Sequence, residues 1–278
     1  MNARLLFILL LFTIGALWYI IGYWRRKAGE AAFAAARLTE KSEERERYCR
    51  LAVMAGHRKA CRMFCLLHPE RFDGHSPHKP FKLRGIRISF YGYYYPSRYN
   101  ALLNDEQKAF CHSIYRFKQG DIHGIEFFKT CMNALQLKKR PYHIMFMPCS
   151  NWIKYGQRFK RLDWYIGKHR QDLTSGLYDV DICDARESLH EAKGGEKRIL
   201  ERNYLITGKI KGKEIIIIDD VLTTGQSVVD YKEEIERCGG KVVAAIFYGK
   251  TLSMPSMLLV QIHVWGNHIA HIIERMTK

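Results

Sequence analysis

The sequence predicts an α/β protein, a parallel β-sheet flanked by helices, preceded by a transmembrane helix and a short helical segment. Three observations carry that expectation. From about residue 81 to the C-terminus, short β-branched apolar runs alternate with amphipathic helical stretches, as in a sheet covered on both faces. Leu5 to Trp24 contains no charged residue and runs into Arg25, Arg26 and Lys27. Between these parts lies a stretch rich in Ala, Glu, Arg and Leu, all good helix formers. The expected boundaries are 1–27 for a membrane anchor, 28–72 for a helical stalk or cap, and 81–278 for the α/β domain.

The anchor is justified by length and flanks. At about 1.5 Å per residue, Leu5–Trp24 spans roughly the 30 Å hydrocarbon core of a bilayer. Trp18, Tyr19, Tyr23 and Trp24 cluster at one end, where an aromatic belt belongs. A cleaved signal peptide has a shorter apolar run and no basic stop behind it. The heavier positive flank follows the span, so a single pass with the C-terminal domain in the cytoplasm is expected. Eight cysteines without a CxxC pair suit reduced thiols in that compartment.

The helical segment 28–72 breaks near Ala55–His57, which predicts a hairpin. His57, Cys61, Cys65 and His68 fall along one helical face and read as a half-buried stripe. "DGHSPHKP" (73–80) is the predicted boundary. Then follow a strand or hairpin at 85–95, a helix at 104–121 capped by Asn104, and a helix at 122–139. A strand at 142–148, a helix at 151–169 and a strand at 177–184 come next. "EIIIIDD" (214–220) reads as a buried strand, 225–239 as a helix, and 241–250 and 256–266 as further strands.

Formal net charge is +17, from 45 Lys and Arg against 28 Asp and Glu. Anionic partners follow: phosphorylated metabolites, nucleic acid or an anionic membrane face. Against that background, "IIIIDDVLTTGQSV" (215–228) places adjacent carboxylates, Asp219 and Asp220, at a strand end. Ligands of parallel α/β sheets bind beyond that edge. The next residues, Thr223, Thr224, Gly225, Gln226 and Ser227, open a helix whose free N–H groups suit a phosphate. The loop has no Lys or Arg, so amides and hydroxyls alone would hold it. Carboxylates would repel that phosphate unless a polyol lay between; they accept hydrogen bonds from a diol and can hold Mg²⁺ directly or through water. A diol, a phosphate one sugar away and a divalent cation describe a ribose 5-phosphate. No Walker A or G-x-G-x-x-G run occurs.

The stretch "IIIIDDVLTTGQS" resembles the PRPP-binding motif of type I phosphoribosyltransferases. "YRFKQGD" (115–121), "MFMPCS" (145–150), "KYGQRFKRL" (154–162) and "ILERNYLITGKIKGKEIIIIDD" (199–220) extend the resemblance to the ComF-type, competence-associated branch. It departs where "MPCS" lacks a second proline and where that branch carries four N-terminal metal-binding cysteines. The resemblance implies a five-stranded parallel core, Mg²⁺-PRPP as substrate, and pentosyl transfer to a base with release of pyrophosphate. It gives Asp219 and Asp220 the catalytic and Mg²⁺-binding roles and residues 223–227 the 5-phosphate. Cys149, Ser150, Arg158, Lys168, Lys193 and Arg198 become the pyrophosphate candidates, the later ones on a loop that closes on the ligand.

The expected function is therefore a membrane-anchored phosphoribosyltransferase acting on PRPP and a base acceptor. The alternative is a non-catalytic PRPP- or nucleotide-sensing protein of the same fold, tied to DNA uptake. Nucleic acid and a second copy of the chain are further candidate partners.

Overall fold

The computed structural model describes residues 3–122, 124–182 and 203–277, with side chains at Phe7 and from Leu10 onward. The helices are α1 (Ala3–Leu38), α2 (Ser42–Met54), α3 (Arg58–Leu67), α4 (Pro69–Asp73), α5 (Asp105–Lys118), α6 (Ile125–Leu135), α7 (Trp152–His169), α8 (Gln226–Arg237) and α9 (Met257–Met276). The strands are β1 (Phe81–Leu83), β2 (Ile86–Tyr94), β3 (Tyr142–Phe146), β4 (Leu173–Ser175), β5 (Val180–Ile182), β6 (Tyr204–Ile206), β7 (Glu214–Leu222) and β8 (Lys241–Thr251). The chain divides into two compact units, one of residues 1–74, 101–103 and 253–278, the other of 75–100 and 104–252.

The first unit is helical. Phe33, Ala36, Cys49, Ala52, Val53, Cys61, Phe64 and Cys65 form its core with Val260 and Val264. The hairpin break falls at Ala55–His57, where His57 caps α3 by accepting the Ala60 N–H. Burial pushes the Cys49 and Cys65 thiols up to about 12, so they stay protonated and pack as small apolar groups. Among the described residues no helix is long and apolar enough to cross a membrane. Leu5, Leu6, Ile8 and Leu9 of the expected span lie outside the described side chains.

One expectation at the C-terminal end is corrected. Residues 256–266 are not a strand but the first half of α9, which lies in the helical unit. Val260 and Val264 are buried while Ile262 between them is 58% exposed. A strand would put all three on one face; a helix buries i and i+4 together. Ser256 starts it by accepting the Leu259 N–H.

In the second unit the strand order is β1-β2-β8-β7-β3-β4. β2, β8, β7, β3 and β4 run parallel, and β1 closes one edge antiparallel. The sequence placed residues 177–184 in this sheet. Instead β4 takes the edge, and Val180–Ile182 pairs with β6 in a separate antiparallel ribbon. Ile144, Phe146, Ile216, Ile218, Ala244 and Ile246 form the core on the α5–α6–α7 side with Phe117 and Phe159.

Helix α5 packs against glycines of the sheet, Gly92 and Gly249, which are register partners on β2 and β8. A Cβ at Gly92 would strike Phe110, and one at Gly249 would strike Ile114. Lys118, the next residue in that i, i+4 series, reaches Asp220 on β7. One face of α5 thus crosses three adjacent strands and ends at the acidic pair.

Candidate functional site

The site begins with β7. Ile215 to Ile218 are β-branched and fully buried, which favours a strand covered on both faces. The strand does not stop at the acidic pair, as the sequence suggested, but continues to Leu222 along β8. Its other neighbour leaves earlier. β3 pairs through Phe146↔Ile218, Met147 N–H donates to Ile218 O at 2.9 Å, and Pro148 then has no N–H to give. From Asp219 onward, that edge of β7 is open.

The topology makes this opening a crevice. The chain leaves β3 through α7 toward β4, and leaves β7 through α8 toward β8 on the other side. Adjacent strands whose crossovers diverge leave a cleft at their C-terminal ends. Helices α7 and α8 both begin there, each bringing free N–H groups and the positive end of its dipole. Asn151 caps α7 by accepting the Lys154 N–H at 2.9 Å. Gly225 starts α8 at φ 79°, a left-handed conformation, and a Cβ there would overlap Leu83. Thr223, Thr224, Gln226 and Ser227 are exposed around it.

The electrostatics centre on Asp220. Arg158 Nη1 lies 2.6 Å from Asp220 Oδ2 and 3.8 Å from Asp219 Oδ1, and Lys118 Nζ lies 3.5 Å from Asp220 Oδ2. Asp219 Oδ1 accepts the Asp220 N–H at 2.7 Å. Burial pushes the Asp219 carboxyl up to about 7, the Asp220 charge adds to the rise, and Arg158 opposes it. The Arg158 Nε–H is buried and has no hydrogen-bond partner among the described residues. An orphaned guanidinium donor beside a crevice suits an anionic ligand.

Sequence-predicted residues fare unequally. Asp219, Asp220, Arg158 and the 223–227 loop converge on the crevice. Cys149 and Ser150 sit in the turn between β3 and α7; burial pushes the Cys149 thiol up to about 12, which makes it an inert, protonated group. Lys168 is not brought to the site. It lies ten residues beyond Arg158 on α7, about 15 Å along the axis, and its Nζ sits 4.9 Å from the Trp164 ring centroid. Lys193 and Arg198 lie outside the described residues.

Three contributors were missed. Arg84, at the β1–β2 turn with φ 45°, donates from Nη1 to Gln226 Oε1 at 2.6 Å and so brings a cation to the 223–227 loop. Gln226 Nε2 in turn donates to Asp230 at 2.6 Å, which ties that side chain to α8. Lys118 joins Asp220, and Asn203 Nδ2 donates to the Cys149 carbonyl at 3.2 Å, fixing the turn after β3. Asn203 leads into the β5–β6 ribbon, which His143 steadies with 2.7 Å contacts to Asp179 and Thr174. The quoted motifs contained Lys118 and Asn203, but nothing there gave them roles.

A 57-residue stretch is 42% identical to an orotate phosphoribosyltransferase of Sulfolobus acidocaldarius, covering 20% of this chain. The match spans only 26% of that curated relative. Strands β4 to β8 and helix α8 all fall in the segment that matches a domain family. Residues 171–251 of this chain match the family model of the phosphoribosyl transferase domain.

Proposed function

We propose that this chain is a membrane-anchored phosphoribosyltransferase of the ComF-type branch, which binds Mg²⁺-PRPP and transfers ribose 5-phosphate to a nitrogenous acceptor. The observation that carries the proposal is the order at one crevice. The acidic pair comes first, then a glycine-started helix N-terminus with Arg84 beside it, and Arg158 presents an unpaired N–H.

Residues 223–227 and the α8 amides hold the 5-phosphate. Asp219 and Asp220 accept hydrogen bonds from the ribose hydroxyls and stabilise positive charge at C1′ as the C1′–O bond to pyrophosphate breaks. The bonding pair leaves with pyrophosphate, and the lone pair of an acceptor ring nitrogen closes the new N–C1′ bond, any N–H proton on that nitrogen passing to solvent. Arg158 and the α7 N-terminus bind the departing anion. Among the described residues no cluster of three His, Cys, Asp or Glu could hold a metal. Asp219 and Asp220 are the residues that would hold Mg²⁺, directly or through its waters. Mg²⁺ so bound supplies charge neutralisation on pyrophosphate.

Membrane attachment is supported by the surface of the helical unit. Leu10, Leu11, Phe12, Leu17, Trp18 and Ile21 of α1 are exposed, as are Leu258, Ile262, Ile269 and Ile273 of α9. Apolar surface on that scale marks a membrane or partner face. One observation favours a second reading, ligand binding without turnover: Asp220 is already satisfied by Arg158 and Lys118. Pyrophosphate release, measured with Mg²⁺, PRPP and a panel of bases including orotate, decides between them. Calorimetric PRPP binding without release from any base would replace the enzyme with a sensor.

A further inference from the structure

The acceptor side of the crevice carries chemistry of its own. A cavity of about 490 Å³ lies between one face of α5 and the loop after β2. Lys108, His112, Tyr115 and Lys118 line it from α5, and Tyr94 and Tyr95 from β2 and its loop. Its inner end is fixed by Lys118, which also touches Asp220 at 3.5 Å. The cavity therefore meets the crevice at Lys118, the side chain it shares with the carboxylates that the proposed function assigns to ribose. An acceptor must come within about 3–3.5 Å of C1′ to react, so a cavity adjoining that point is where it would sit.

The walls favour a flat ring with negative charge. Three tyrosines offer faces or edges for stacking. The Lys108 ammonium, an imidazole and the Asn100 amide supply polar contacts, the Lys118 ammonium is shared with Asp220, and no Asp or Glu lines the cavity among the described residues. Asp105 pairs with Lys108 at 3.1 Å, but its side chain is 99% exposed, and such a pair is easily exchanged. A neutral ring would strip water from these ammonium groups without replacing it; an anionic substituent would satisfy them.

We infer that this cavity is the acceptor subsite and that it takes a planar heteroaromatic ring bearing an anionic substituent such as a carboxylate. The inference rests on the phosphoribosyl-transfer reading for the placement of ribose.

Matched ligand pairs test it: orotate against uracil, and nicotinate against nicotinamide, titrated calorimetrically into the full-length chain with Mg²⁺ and PRPP present. Each anionic ring should bind at least about tenfold tighter than its neutral partner. Lys108→Gln and His112→Gln, both at exposed positions, should shrink that gap, and Tyr115→Ala should weaken both members of a pair. Equal or tighter binding of the neutral rings overturns the inference, as does a failure of all four to bind. So does a gap that survives both α5 substitutions. Pyrophosphate release is read separately. Anionic preference without release from any acceptor removes the catalytic reading and leaves the cavity's specificity standing; release with neutral bases alone does the reverse.

Discussion

At the residue scale, Asp219 carries the clearest consequence. Burial first and the Asp220 charge second raise its carboxyl from 3.8 to about 7. The sign follows: stability linked to the protonated group is fully present below 3.8 and is lost as pH rises through about 7. Asp219→Asn keeps the shape and removes the charge. Ligand-free, it should melt above wild type at about pH 8 and level with it at about pH 4, a gap of roughly 1–4 kcal/mol at most. Pyrophosphate release should fall by about a hundredfold or more in the same variant. A wild-type protein that melts higher in alkaline buffer would contradict the charge crowding. Arg84 bears on the other end of the ligand. Arg84→Gln should weaken ribose 5-phosphate binding about ten- to a hundredfold and leave pyrophosphate binding unchanged, because a lost charge-assisted bond costs about 1.5–3 kcal/mol. Equal loss for both anions would make Arg84 a general electrostatic contributor. The acidic pair and the threonines were legible in the sequence because they are contiguous. Arg84 was not: 142 positions separate it from Gln226, and only the β1–β2 hairpin brings them together.

At the element scale, composition revealed what burial enforces. The run Ile215–Ile218 could hardly be anything but an interior strand, and Asn104 with Gln107 forms the capping box that starts α5. Elements failed where two periods fit the same residues. Val260, Ile262 and Val264 alternate like a strand, and only the contacts of α9 with its helical neighbours select i and i+4 over i and i+2. β4, three residues long, has too little pattern to read at all. The crossing of α5 was equally silent, since it depends on Gly92 and Gly249 meeting in register. Gly249→Val tests that crossing. The new side chain would enter the space of Ile114, whose Cδ1 sits 2.6 Å from the site of a Cβ, and push α5 and Lys118 away from Asp220. Overpacking should cost about 1–3 kcal/mol in urea unfolding. Ile114→Ala in the same chain should recover part of the loss. Wild-type stability for the single variant, or no recovery in the double, would mean that the glycines do not set the helix position.

At the scale of the whole molecule, charge and apolar surface pull toward the same kind of neighbour. The chain carries +17, and Arg25, Arg26 and Lys27 stand immediately after the uncharged run that ends at Trp24. Basic residues there are attracted to anionic lipid by about 1 kcal/mol each, a contribution that salt removes. Burial of a twenty-residue apolar segment in a bilayer is indifferent to salt. Washing cell membranes therefore separates the two contributions. An anchored chain stays in the pellet through about 1 M salt, where the Debye length is near 3 Å, and leaves only with detergent. A chain held by its charge alone is released by the salt wash, and the anchor is then wrong while the reading of the crevice is untouched. Orientation has its own readout. With the positive flank on the cytoplasmic side, protease added to intact spheroplasts should spare the domain and should digest it once the membrane is opened. Digestion from outside would place the crevice on the far side of the membrane from the basic flank and overturn the expected orientation.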